Sequence, residues 1–184
     1  MQELLDFLSN NHSAFNACAS FKRLLLDAGF EELNETKSYE LKKGHNYFVV
    51  RNLSSIMAFK VPTKLDEAAF KIVASHNDCP SFKLKPHCVL KNNNYLRLNT
   101  EVYGGPLYYT WFDRPLSLAG RLIYKEGDDL KEAAFDLQED FCLIPSLAIH
   151  MNREANNGYK FNPQVDLLPL VDYDGEFDLL KYLS

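Results

Sequence analysis

One stretch constrains this chain more than any other: the apolar run Phe70-Lys71-Ile72-Val73-Ala74 leads directly into Ser75-His76-Asn77-Asp78-Cys79-Pro80. The β-branched Ile72 and Val73, with Ala74, predict a strand buried on both faces, as in a mixed sheet covered by helices. Polar and titratable residues just beyond such a strand occupy the carboxyl edge, where open α/β sheets bind their ligands. A neutral imidazole at His76 is a good zinc ligand, and Asp78 can face the same side of an extended segment. An aspartate in that position can fix the histidine's tautomer or orient a bound group. Taken alone, the H-x-D spacing is a weak signal, because a lone histidine is more often simply hydrogen-bonded.

The texture of the chain differs on either side of this stretch. Upstream, Leu4, Leu5, Phe7 and Leu8 predict a short amphipathic helix. Ser13 is the N-cap of a second helix with apolar positions Ala14, Ala17, Cys18, Phe21, Leu24 and Leu25, and Gly29 is its stop. Tyr47–Arg51 and Ser55–Val61 predict strands around a turn at Asn52–Ser54, Pro62 ends the second, and the loop Thr63–Ala69 follows. Downstream the chain turns almost wholly β-like. Cys88–Leu90 and Tyr95–Asn99 flank an asparagine turn, and Leu116–Tyr124 and Leu130–Leu137 flank Glu126-Gly127-Asp128-Asp129. Ile144–His150 predicts a short helix entered through Pro145, Phe161–Leu170 an extended segment, and Phe177–Leu183 a last helical turn. The one boundary this pattern suggests is near residue 82, giving segments 1–82 and 83–184.

Hydrophobic residues at 46% and charged residues at 24% fit a globular chain of 184 residues. The net charge, 20 − 25 = −5, gives no field to draw in nucleic acid or an anionic membrane, so neither is an expected partner. No apolar run approaches the roughly 18 residues that span a bilayer. Glu3 and Asp6 occupy the place where a secretory leader needs basic and then apolar residues, and a cytoplasmic location is expected. Cys18, Cys79, Cys88 and Cys142 show no C-x-x-C spacing and read as free thiols.

A catalytic zinc takes three protein ligands and an open position, and a two-metal centre takes more. Besides His76, the histidines are His12, His45, His87 and His150, and no two lie four residues apart. His12, His45 and His87 read as structural. Glu31-Glu32 follows the helix-stop Gly29 and reads as a solvated loop. Trp111 and the tyrosines read as core or interface, and Asp113 beside Arg114 suggests an ion pair by proximity alone. The residues therefore outline part of a site.

Several stretches resemble the aspartyl aminopeptidase family of cocatalytic zinc metallopeptidases. They are Tyr47-Phe-Val-Val-Arg-Asn52, Ala58-Phe-Lys-Val61, Ser75-His-Asn-Asp-Cys-Pro80, Thr110-Trp-Phe-Asp-Arg-Pro-Leu-Ser-Leu-Ala-Gly-Arg121, Ile144-Pro-Ser-Leu-Ala-Ile-His-Met-Asn-Arg153, and Tyr159-Lys-Phe-Asn-Pro163 with Leu167-Leu-Pro-Leu170. No fold-level pattern dictates the W-F-D-R-P-L-S-L-A-G string. The resemblance implies an α/β fold: the start of a zinc-peptidase α/β sandwich over residues 1–82, then a β-rich dimerisation domain over 83–184. It puts His76 on the first metal ligand and Asp78 on the aspartate that supports the metal centre. His150 falls on a histidine offered to a neighbouring subunit's active site, where it stabilises charge on the carbonyl oxygen. Implied with these are two divalent metals, zinc first with cobalt or manganese as substitutes, peptide substrates, and a homo-oligomer built from dimers.

Two features depart from the family pattern. Asn77 and Cys79 stand where S-H-T-D-S-P is usual. The bridging aspartate, the Glu-Glu pair, the further carboxylate ligand and the final histidine belong to the family's second half and match nothing here. The expectation is the amino-terminal portion of a metallo-aminopeptidase, inactive by itself, with an acidic first residue one candidate for its preference. The alternative is a non-catalytic oligomerisation module from a truncated peptidase gene.

Overall fold

The computed structural model describes residues 1–64, 69–172 and 177–184, so the expected loop Thr63–Ala69 lies in part outside the described residues. In chain order the helices are α1 (Gln2–Ser9), α2 (Ala14–Asp27) and α3 (Leu179–Leu183). The strands are β1 (Glu31–Glu32), β2 (Asn46–Arg51), β3 (Ser55–Lys60), β4 (Ser81–Asn92), β5 (Tyr95–Tyr103), β6 (Pro115–Leu116), β7 (Ala119–Glu126), β8 (Asp129–Asp136), β9 (Cys142–Leu143) and β10 (Leu170–Asp172). The result is a mixed α/β protein in two compact units. One comprises Met1–Cys79 with Ala119–Asp136, the other Pro80–Leu118 with Leu137–Ser184.

In the first unit Ser13 caps α2 as expected, its hydroxyl accepting from the Asn16 amide. Gly29, at φ 78°, ends that helix. Its N–H reaches Leu26 O and the Phe30 N–H reaches Leu25 O, the paired bonds of a Schellman stop. The sheet runs β1-β2-β3, with β1 parallel to β2 and β2 antiparallel to β3. Asn52 and Leu53, at φ 52° and 55°, make the tight turn that matches strand twist. Consecutive burial of Tyr47, Phe48 and Val49 shows both faces of β2 covered. Glu31-Glu32, expected as a loop, forms β1 because pairing to β2 satisfies its backbone, with Lys22 bridging Glu32 at 2.8 Å.

The hairpin β7–β8 closes this unit. Arg121 lies over the Phe15 ring at 5.3 Å, and His12 Nδ1 meets an Asp136 carboxylate oxygen at 2.7 Å. Leu116–Tyr124, expected as one strand, is divided: β6 pairs with β9 in the second unit and β7 with β8 in the first.

The second unit is a five-stranded sheet in the order β4-β5-β10-β9-β6. Asn93, at φ 53°, makes the β4–β5 turn. The register slips between Leu84 and Val89, where Pro86 has no N–H for the ladder. Leu98, Cys142 and Leu179 form its core, Leu179 brought in by α3, whose Asp178 accepts from the Leu180 and Lys181 amides. Trp111 packs edge-on against Phe82 at 4.9 Å. The segment Ile144–His150 is not helical: Ile144 bridges to Phe112 in a strand-like pair, and only a turn follows at Ile149–Met151. Phe161–Leu170 is likewise broken by a turn in which Val165 and Asp166 donate to Asn162 O. Among the described residues no helix is long and apolar enough to cross a membrane.

Leu98, fully buried, and Leu130, at a hairpin end and 77% exposed, provide a contrast. Leu98→Ala is expected to cost about 2–5 kcal/mol, and Leu130→Ala less than about 0.5 kcal/mol. Denaturant unfolding checks both.

Candidate metal centre

His76 and Asp78 lie in the last residues of the first unit, after a segment that differs from expectation. Phe70–Ala74 forms no strand among the described residues: Phe70, Ile72 and Val73 are 91%, 80% and 99% exposed. Apolar content alone does not make a strand, because its N–H and C=O groups need a neighbouring ladder. Among the described residues the first sheet ends at β3, and Phe70–Ala74 adds no strand to it.

Order returns at Asn77. Its side-chain amide donates to Ala14 O at 3.0 Å and to Ser54 O at 2.9 Å. The first carbonyl begins α2 and the second closes the β2–β3 turn, so one side chain ties the segment to both layers of the unit. On either side of this anchor, His76 Nδ1 and Asp78 Oδ1 approach to 3.0 Å. The carboxylate can only accept, which gives Nδ1 the proton and leaves Nε2 with its lone pair. The imidazole is 93% exposed and the aspartate 33%. An open nitrogen ligand oriented by a carboxylate suits zinc chemistry. It is one ligand, however: among the described residues no three His, Cys, Asp or Glu side chains converge to hold a metal ion.

His150 lies in the second unit, exposed, in a turn closed by the Met151 N–H on Ala148 O at 2.8 Å. The four cysteines are free. Cys142 is pushed up to about 11 by burial, whereas Cys79 is exposed beside Asp78. Asp113 is not paired with Arg114. Its carboxylate accepts from Ser146 and is held below the usual range by those hydrogen bonds, and Arg114 turns toward Thr110 O at 3.5 Å.

Helices on a small mixed sheet that carries a solvent-open histidine–carboxylate pair, and a second unit rich in β-strands, make this a mixed α/β protein. Residues 7–181 match the sequence profile of the aminopeptidase I zinc metalloproteases (M18), and the chain belongs to that family. It is 41% identical over 187 residues to a probable M18 family aminopeptidase 2 of Clostridium acetobutylicum, an alignment covering 99% of this chain and 43% of that protein. Ape4, solved by cryo-electron microscopy in complex with Nbr1, superimposes with a TM-score of 0.89 at 34% identity, over 96% of this chain and 34% of its own. The mApe1 dodecamer of S. cerevisiae gives 0.71 at 25% identity, over 95% of this chain and 48% of its own. The chain thus spans less than half the length of these relatives.

Asn77 was legible as a departure from S-H-T-D-S-P but not as an anchor, since its two acceptors lie 63 and 23 residues away. Asn77→Ala removes both bonds and leaves two carbonyls without that donor. The expected cost is about 1–3 kcal/mol, with faster amide exchange confined to residues near His76. Unchanged exchange there would contradict the anchoring role.

Proposed function

We propose that this chain is the amino-terminal part of a metallo-aminopeptidase subunit that removes the first residue from peptides. The observation that carries this reading is the carboxylate-oriented, solvent-open His76 imidazole in a chain of the M18 family. Residues 1–82 are read as the front of the catalytic domain and 83–184 as the dimerisation domain. A cytoplasmic location, supported by four free cysteines, belongs to the same reading.

Two divalent metals, zinc first, supply Lewis-acid activation of water and of the scissile carbonyl when bound. His76 would hold one of them through Nε2. Asp78 keeps the Nδ1 proton in place, so that the free lone pair faces outward and the ring resists rotation. Asn77 holds both side chains at a fixed height above α2 and the β2–β3 turn. His150, presented to a neighbouring subunit, donates a hydrogen bond to the oxygen on which negative charge develops during attack. That role requires assembly, and the dodecamer of the S. cerevisiae relative supports one.

A second reading is favoured by one observation: no three metal-ligating side chains converge among the described residues. On that reading the second unit, which has a core of its own, serves assembly alone.

In the intact enzyme bearing these residues, His76→Ala is expected to lower kcat/KM at least about 10²-fold, and His150→Ala to lower kcat about 10²–10³-fold with KM nearly unchanged. Full activity in either variant would remove the corresponding role. The 184-residue chain by itself should release no amino acid from Asp-, Glu- or Leu-initiated peptides at saturating zinc. Sustained release would overturn the assignment of an incomplete site.

A further inference from the structure

The geometry points to Asp113 as a positioning residue that holds the Pro145–Met151 loop and thereby sets where His150 is presented. Phe112 and Ile144 form a strand-like bridge, and Ile144 is fully buried, which fixes the base of the loop. Beyond that bridge Asp113 takes both backbone groups flanking Pro145. Its own N–H donates to Ile144 O at 3.0 Å, and its Oδ1 accepts from the Ser146 N–H at 2.8 Å. Pro145 has no N–H to offer, so these two bonds bracket the point where the loop leaves the sheet.

Asp113 makes this bracket from a left-handed backbone, φ 55°. Few side chains tolerate that conformation, though aspartate and asparagine do so better than most, and such a residue persists where its surroundings fix it. Glycine would adopt it more easily but brings no acceptor.

Nothing else on the loop does the same work. Leu147, Ile149 and Met151 are 52%, 46% and 75% exposed, so apolar packing does not hold it. Among the described residues no other side chain hydrogen-bonds to residues 145–151. The next fixed point is the turn in which the Met151 and Asn152 amides donate to Ala148 O, at 2.8 and 3.2 Å. Only Leu147 separates anchored Ser146 from that turn, and His150 lies inside it. The placement of the His150 backbone is therefore relayed from Asp113 through Ser146.

The consequence for catalysis rests on the His150 role proposed above, but the positioning itself does not. Asp113→Gly keeps the left-handed backbone and removes the carboxylate, and Asp113→Asn retains an acceptor oxygen. In the 184-residue chain, Asp113→Gly is expected to speed exchange of the Ser146 amide about tenfold and to shift the His150 ring resonances, with the Leu98 amide unchanged. Asp113→Asn should restore most of the protection. If Ser146 and His150 behave in Asp113→Gly as in the wild type, the positioning role is wrong. In the intact enzyme, Asp113→Gly should lower kcat rather than raise KM, and should add nothing to His150→Ala. A loosened loop with unchanged kcat would leave the positioning intact and sink the His150 role. A kcat loss in His150→Ala, with loop and kcat untouched by Asp113→Gly, would do the reverse.

Discussion

The two hydrogen bonds from the Asn77 side chain are the constraint on which the candidate centre depends. The residues before it, Phe70–Ala74, pair with no strand among the described residues and leave their apolar side chains in water. Without Asn77 the His76–Asp78 pair would lose its two hydrogen bonds to the helix and turn of the first unit. With it, the pair is held to carbonyls of Ala14 and Ser54, which are themselves fixed by the α2 cap and the tight β2–β3 turn. An exposed imidazole loses its ordering cost before any metal arrives only if its support is rigid, and that support comes from backbone groups.

Local signals gave the parts of the fold whose causes are local. Ser13 and Gly29 bound α2 because a cap hydroxyl and a left-handed stop act within a turn of the helix. The hairpins at Asn93 and Gly127 follow from residues that accept positive φ. The failures share a different cause. The strand expected at Phe70–Ala74 and the helix expected at Ile144–His150 depended on partners distant in sequence. The first has none among the described residues, and the second is captured as a strand-like bridge to Phe112 with Asp113 on Ser146. Leu116–Tyr124 read as one strand because β-propensity does not report which sheet each half joins.

The candidate site was legible in part. His76 and Asp78 stood out by spacing and by family resemblance, and the structure puts them within hydrogen-bond reach of one another. His150 was visible only through the resemblance, since nothing in its local pattern distinguishes it from a surface histidine. Asn77 and Asp113 were visible as residues but not as anchors, because their partners lie up to 63 and 33 residues away.

A single supported imidazole should hold a metal only weakly, because most of the coordination sphere would be water. Zinc titration of the 184-residue chain by calorimetry, with metal analysis after dialysis, probes this directly. An isolated His76–Asp78 pair predicts a dissociation constant on the order of a millimolar or weaker, roughly −4 kcal/mol, and no retained zinc. A stoichiometric zinc held with submicromolar affinity and lost in His76→Ala would show that the chain closes a metal centre of its own, contrary to everything inferred from its open, one-ligand geometry.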